Sequence, residues 1–197
     1  MKRMMLAILA AVGATACGAG PTGTPAATSS EPFTAPPRPA PLPGSTPPGT
    51  VLRFGEKAVI TVGRAEDPHR VGVIVTGVDR ATEQEMASIP SGSPDEPGRW
   101  AYLIRLIVVN EDGAGNFSGY SGPNVYGDVG EPGFGGDAGS LRLLNTDLVL
   151  SSCTDYSSPP PGWDTPGARF ETCRIVFAEP DRVRVPIEDG GGVFWQP

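Results

Sequence analysis

Few side chains in this sequence are equipped for chemistry. His69 is the only histidine among 197 residues, so any Ser-His-Asp or Cys-His arrangement has to be built on it. It falls in Glu66-Asp67-Pro68-His69-Arg70, a polar turn between two strand-like runs, where an exposed histidine without a catalytic partner is expected. No Gly-x-Ser-x-Gly elbow, His-Glu-x-x-His, phosphate loop or dinucleotide fingerprint occurs, and nothing calls for a cofactor. The remaining candidates are carboxylates. Glu111, Asp112 and Asp128 would serve a hydrolase if two of them faced each other across a cleft at about 5 to 10 Å, as glycosidic chemistry requires. Calcium also takes such oxygens, but the regular Asp spacing of an EF-hand is missing, so no metal ligands are assigned. No residue is assigned a catalytic role.

The cysteines are Cys17, Cys153 and Cys173. Ahead of Cys17 lie the basic pair Lys2-Arg3, the apolar run 4–12 and the small residues Gly13-Ala14-Thr15-Ala16, the three zones of a secretory signal. The apolar run is shorter than the about 20 residues a membrane-spanning helix needs, which favours cleavage over a permanent span. Ala14-Thr15-Ala16-Cys17 resembles the lipobox of bacterial lipoproteins, with Ala14 where Leu is usual. That resemblance implies a diacylglyceryl group on Cys17, which becomes the mature N-terminus on the outer face of the cytoplasmic membrane. Lipidation of Cys17 removes the odd cysteine. Cys153 and Cys173 are then left as a pair in an oxidising compartment, closing about 20 residues for roughly 3 kcal/mol.

Residues 18–50 hold ten prolines among Gly, Ala, Ser and Thr, with only Glu31 and Arg38 charged. Such a stretch buries no core and is expected to stay extended, reaching on the order of 100 Å at about 3.1 Å per residue. The net charge is −7, from 15 basic and 22 acidic residues. Loss of Lys2 and Arg3 with the signal makes the remainder more acidic still. An acidic chain disfavours nucleic acid and is repelled by anionic lipid, so membrane attachment falls to the lipid on Cys17.

From residue 51 onward short β-rich runs alternate with Gly, Pro and Asp clusters. Strands are expected at 57–63, 71–80, 100–110, 125–128, 141–152, 170–177 and 182–187, with a brief helix at 81–89. Run 100–109 is apolar on both faces except at Arg105 and reads as a central strand. Run 182–187 alternates strictly, and Pro186 places it at a sheet edge or ends it. The expected architecture is all-β, an antiparallel sandwich of about seven strands. The domain plan is a signal peptide over 1–16, a lipidated cysteine and linker over 17–50, and a sandwich over 51–197.

Lipobox, Pro/Thr linker, the strand opening Gly55-Glu56-Lys57-Ala58-Val59-Ile60-Thr61-Val62 and the long apolar strand closing on Val108-Val109-Asn110 form a familiar sequence of parts. With the Pro166-Gly167 turn before Phe170-Glu171-Thr172-Cys173-Arg174-Ile175-Val176-Phe177 and a terminal Phe194-Trp195, the chain resembles the telokin-like, immunoglobulin-like domains of unknown function in bacterial lipoproteins. The mycobacterial secreted immunogenic antigens share that fold. The resemblance implies an extracytoplasmic immunoglobulin-like interaction module and carries no catalytic residue over.

Segment 111–139 contains ten glycines and four aromatics. Loops of this length are functional or mobile. Phe117, Tyr120, Tyr126 and Phe134, with Tyr156 and Trp163 from the segment between the paired cysteines, form the candidate contact surface for an envelope protein or a glycan. The leading expectation is thus a non-catalytic, membrane-tethered module. A hydrolase and a small-ligand or calcium carrier are the alternatives, the carrier needing a concave pocket that a filled sandwich core does not offer.

Overall fold

The computed structural model describes residues 40–89, 100–113, 123–130, 136–137, 140–141, 148–155, 159–187 and 191–197. In chain order they form β1 (Val51–Arg53), β2 (Lys57–Arg64), β3 (Asp67–Arg80), α1 (Glu83–Ser88), β4 (Tyr102–Asn110), β5 (Tyr126–Val129), β6 (Gly136–Asp137), β7 (Ser140–Leu141), β8 (Leu148–Val149), β9 (Thr154–Asp155), β10 (Arg169–Val176), β11 (Arg182–Pro186) and β12 (Gly192–Gln196).

The fold is all-β and sandwich-like. One sheet runs in the order β2-β3-β4-β10-β7 and the other β1-β12-β11-β5-β6, with β8 and β9 as a separate ribbon. Between the two sheets lies the main core. Ala58, Ile60, Val71, Val73, Val75, Ile104, Leu106 and Val108 come from the first sheet, and Val183, Val185, Val193 and Trp195 from the second. Strand β4 sits at the centre of its sheet, as its two-sided apolar character requires. Its Ile104, Leu106 and Val108 enter the main core, while Leu103 on the opposite face joins Met86, Ile89, Leu150 and Ile175 in a second cluster. Helix α1 is therefore a lid over the outer face of that sheet.

A register shift between Val75 and Gly77 places one extra residue in β3. Both Val75 and Val78 consequently face the core, although three residues apart in a strand would point to opposite sides. Pro68 is tolerated in β3 because it lies before Val71, where pairing with β4 begins.

Several expectations are corrected. The β1–β12 pair is parallel, so the sandwich is not purely antiparallel. Of the two outcomes expected for run 182–187, the strand takes the second: β11 ends at Pro186 and lies inside its sheet, flanked by β12 and β5. The single strand expected at 141–152 is divided, because β7 pairs with β10 and β8 pairs with β9. Residues 42–50, expected in the linker, are held on the folded body. Thr46 N–H donates to the Val59 carbonyl (2.7 Å), Gly49 N–H to Gly192 (2.8 Å), and Phe194 N–H to Thr50 (2.9 Å).

The disulfide between Cys153 and Cys173 is present, with Cα atoms 5.9 Å apart. The segment it closes is largely exposed around Trp163, which itself turns inward. Trp163, within the closed segment, is buried edge-on against Phe170, the ring centroids 5.0 Å apart. The fully buried Asn110 fastens this loop. Its Nδ2 donates to the Trp163 carbonyl (2.5 Å) and its Oδ1 accepts from Gly113 N–H (2.9 Å). Gly113 has φ +73°, and a Cβ there would lie 2.5 Å from the Pro166 ring, so only glycine fits beneath the loop.

Asn110→Ala leaves the Trp163 carbonyl and the Gly113 N–H without that partner. We expect a loss of about 2 kcal/mol or more, read as a lower urea midpoint at unchanged slope.

Candidate functional site

An open cleft of about 810 Å³ lies on the flank of the sandwich. The carrier alternative needs a concave pocket, and this cleft supplies one at the margin of the core, where Ile60 lines it. Its first wall is the end of β2, from Ile60 to Gly63. The opposite wall carries Tyr126 of β5 and Arg184 of β11, with Pro186 and Ile187 beyond them. Pro41, Pro47 and Pro48 make the rim, placed there by the docking of residues 42–50.

Strict alternation in β11 positions Arg184. Val183 and Val185 are buried in the core, so Arg182 and Arg184 project from the other face. Register then sets their neighbours: Arg184 lies opposite Tyr126 on β5 and Phe194 on β12, and Arg182 opposite Asp128. Asp128 is buried and accepts from both arginines, from Arg182 Nε at 3.1 Å and from Arg184 Nε at 3.0 and 3.2 Å to its two oxygens. The Arg184 guanidinium also lies 5.1 Å from the Tyr126 ring centroid, and Arg182 lies 4.5 Å from that of Phe194. Among the described side chains, one carboxylate thus serves two guanidiniums. Gly192 makes room for this arrangement, since a Cβ there would come within 3.0 Å of Arg184 Cγ.

A smaller cleft of about 570 Å³ borders the disulfide. Arg105 at its wall is bound to Asp79 and donates from Nη1 to the Ser152 carbonyl (2.7 Å).

Of the expected contact residues, Tyr126 lines the large cleft. Trp163 does not belong to a displayed surface; it is 6% exposed, because the loop that carries it folds onto the end of β4. Phe117, Tyr120, Phe134, Tyr156 and the lipidation residue Cys17 lie outside the described residues. The three hydrolase candidates are not brought together as a pair. Glu111 is bound to Lys57 Nζ (2.8 Å), Asp112 accepts from Arg70 N–H (2.8 Å), and Asp128 holds the two arginines. His69, expected in an exposed turn, is part of β3 with its side chain 13% exposed and Nε2 3.2 Å from Asp67. Among the described residues no three His, Cys, Asp or Glu side chains cluster as metal ligands, and no helix is long and apolar enough to cross a membrane.

Glu85 is a buried acid that the sequence reading passed over, although Thr82-Glu83-Gln84-Glu85 carries a capping-box signature. Its Oε2 accepts from the Thr82 N–H (2.8 Å) and hydroxyl (2.9 Å), and its Oε1 from the Ser152 hydroxyl. Burial pushes its pKa up, but the hydroxyls of Ser152, Thr82 and Ser151 and the Thr82 N–H together outweigh burial and hold it below the usual value. A carboxylate with a depressed pKa stabilises the fold above its unfolded value, and that contribution fades as pH falls through the lower folded value.

No protein-family model matches the chain, and no curated protein or solved structure is similar to it. Its functional reading rests on its own residues.

Glu85→Gln is expected to lower the thermal midpoint at neutral pH by an amount corresponding to about 1–2 kcal/mol. Midpoints measured across pH should converge for the two proteins in acid, below the ordinary carboxylate range, where the wild-type carboxyl is itself protonated.

Proposed function

We propose that this chain is a lipid-anchored, extracytoplasmic binding module, a non-catalytic immunoglobulin-like sandwich that stands off the cytoplasmic membrane on its proline-rich segment. The observation that carries the binding half of this reading is the cleft in which Arg184, oriented by a buried carboxylate and an aromatic ring, meets an apolar rim. Pockets of this kind, apolar with a few placed polar groups, recognise ligands. The engagement of Glu111, Asp112 and Asp128 in ion pairs and a backbone N–H favours binding over hydrolysis. The anchoring half rests on the signal-like residues 1–16 and Ala14-Thr15-Ala16-Cys17. An acidic chain with 22 acidic against 15 basic residues needs such a covalent tether to stay at an anionic membrane. The partner is an envelope protein or a glycan carried in the same compartment.

Expression of the full chain in bacteria with labelled palmitate tests the tether. The wild-type protein should take up label and sediment with membranes, whereas Cys17→Ala should remain unlabelled and leave the membrane fraction. A Cys17→Ala protein that is still labelled and membrane-bound would overturn the anchor.

A further inference from the structure

We propose that the large cleft takes an extended peptide carrying an acidic side chain, which adds as a strand to the open edge of β2 and sets its carboxylate against Arg184. The inference rests on the binding-module reading and names its ligand.

Strand β2 is the outermost strand of its sheet, bonded on one side to β3. Val59 shows which of its backbone groups point away from β3, because its N–H donates to Thr46 Oγ1 (2.9 Å) and its carbonyl accepts from Thr46 N–H (2.7 Å). By the alternation of a strand, Thr61 is the next residue whose N–H and C=O point the same way. Among the described residues no backbone group pairs with them, and Thr61 lines the cleft. An unpaired edge is a template for another extended chain. The protein's own Thr46 already uses this edge one pair earlier, so the edge accepts an added chain.

Charge selects the ligand. The chain is acidic overall, yet no acidic side chain is among the described residues that line the cleft. Arg184 spends Nε on Asp128, and no described residue accepts from its two terminal nitrogens. A guanidinium held from behind, with a pair of N–H groups left over, matches a carboxylate. The available hydroxyls favour a peptide over a sugar. Thr61 Oγ1 is engaged by Leu42 N–H and Ser45, and Thr46 Oγ1 by Val59 N–H. The cleft offers the ligand a backbone edge, a cation, the polar groups of Asn124 and Tyr126, and the apolar surfaces of Pro47, Pro186 and Ile187.

The test uses the detergent-solubilised full chain in equilibrium dialysis against pools of acetylated, amidated hexapeptides. One pool has Glu fixed at a central position and Val, Thr, Leu or Tyr elsewhere, and its twin has Gln in place of Glu. The Glu pool should be retained at least about fivefold better, the difference expected for one charge-assisted hydrogen-bonded pair. N-methylation of alternate backbone amides should abolish retention of both pools. Arg184→Gln should erase the preference for Glu, and Arg184→Lys, which keeps the charge beside Asp128, should reduce it. Retention of neither pool, equal retention of the N-methylated peptides, or an undiminished Glu preference in Arg184→Gln would each overturn the proposal. Anchoring is read separately through the lipid on Cys17. A protein that sediments with membranes but retains no peptide therefore sinks this inference and leaves the tethered module standing.

Discussion

Strand β4 is apolar on both faces, and neither face can be left in water. Satisfying this one constraint organises most of the structure. One face is covered by the second sheet, whose Val183, Val185, Val193 and Trp195 meet Ile104, Leu106 and Val108 across the main core. The other face is covered piecemeal, by α1 and by Leu150 near the ribbon of β8 and β9. Burying a large aliphatic side chain is worth about 1.5–3 kcal/mol. Both coverings are therefore needed for a chain whose Pro and Gly content limits the core it can build.

The outer covering explains where the polar fixtures lie. Glu85 and Ser152 tie α1 to the segment that ends in Cys153, and the disulfide ties that segment to β10. Asn110, at the far end of β4, holds the loop bearing Trp163. Each is a polar or covalent clamp at the margin of an apolar cluster, where a loop with little hydrophobic surface would otherwise lift away. The Asp128 cluster belongs to a different margin. There a carboxylate with two arginines and two aromatic rings completes the solvent side of the second sheet and orients Arg184 into the cleft. A buried charge is tolerable only when paired in this way.

Much of this was readable from residue order alone. The alternation of Arg182 to Pro186 fixes which face is buried, and the two-sided apolar run of β4 marks the centre of a sheet. The disulfide between Cys153 and Cys173 matches the pair expected when Cys17 is set aside as the lipidation site. Other elements carried too little local signal. Strand β12 follows a glycine run and contributes only Val193 and Trp195 to the core, so its pattern is too short to stand out. Trp163 sits among prolines and glycines and reads as displayed, yet a single side-chain amide from Asn110 helps to turn it inward. Arg184 has no sequence mark of function at all, being one of two arginines in an alternating strand.

By itself the sequence determined the all-β class of fold, the alternation of β11 and the two-sided apolar character of β4. These follow from local periodicity and composition, which need no knowledge of distant contacts. Only the tertiary structure decided that the last residues before β1 dock on the body, that Trp163 is core, and that Tyr126 and Arg184 face β2 across a cleft. Those outcomes depend on which strands become neighbours, a choice made by long-range burial and by register across two sheets, where residues more than a hundred positions apart come into contact.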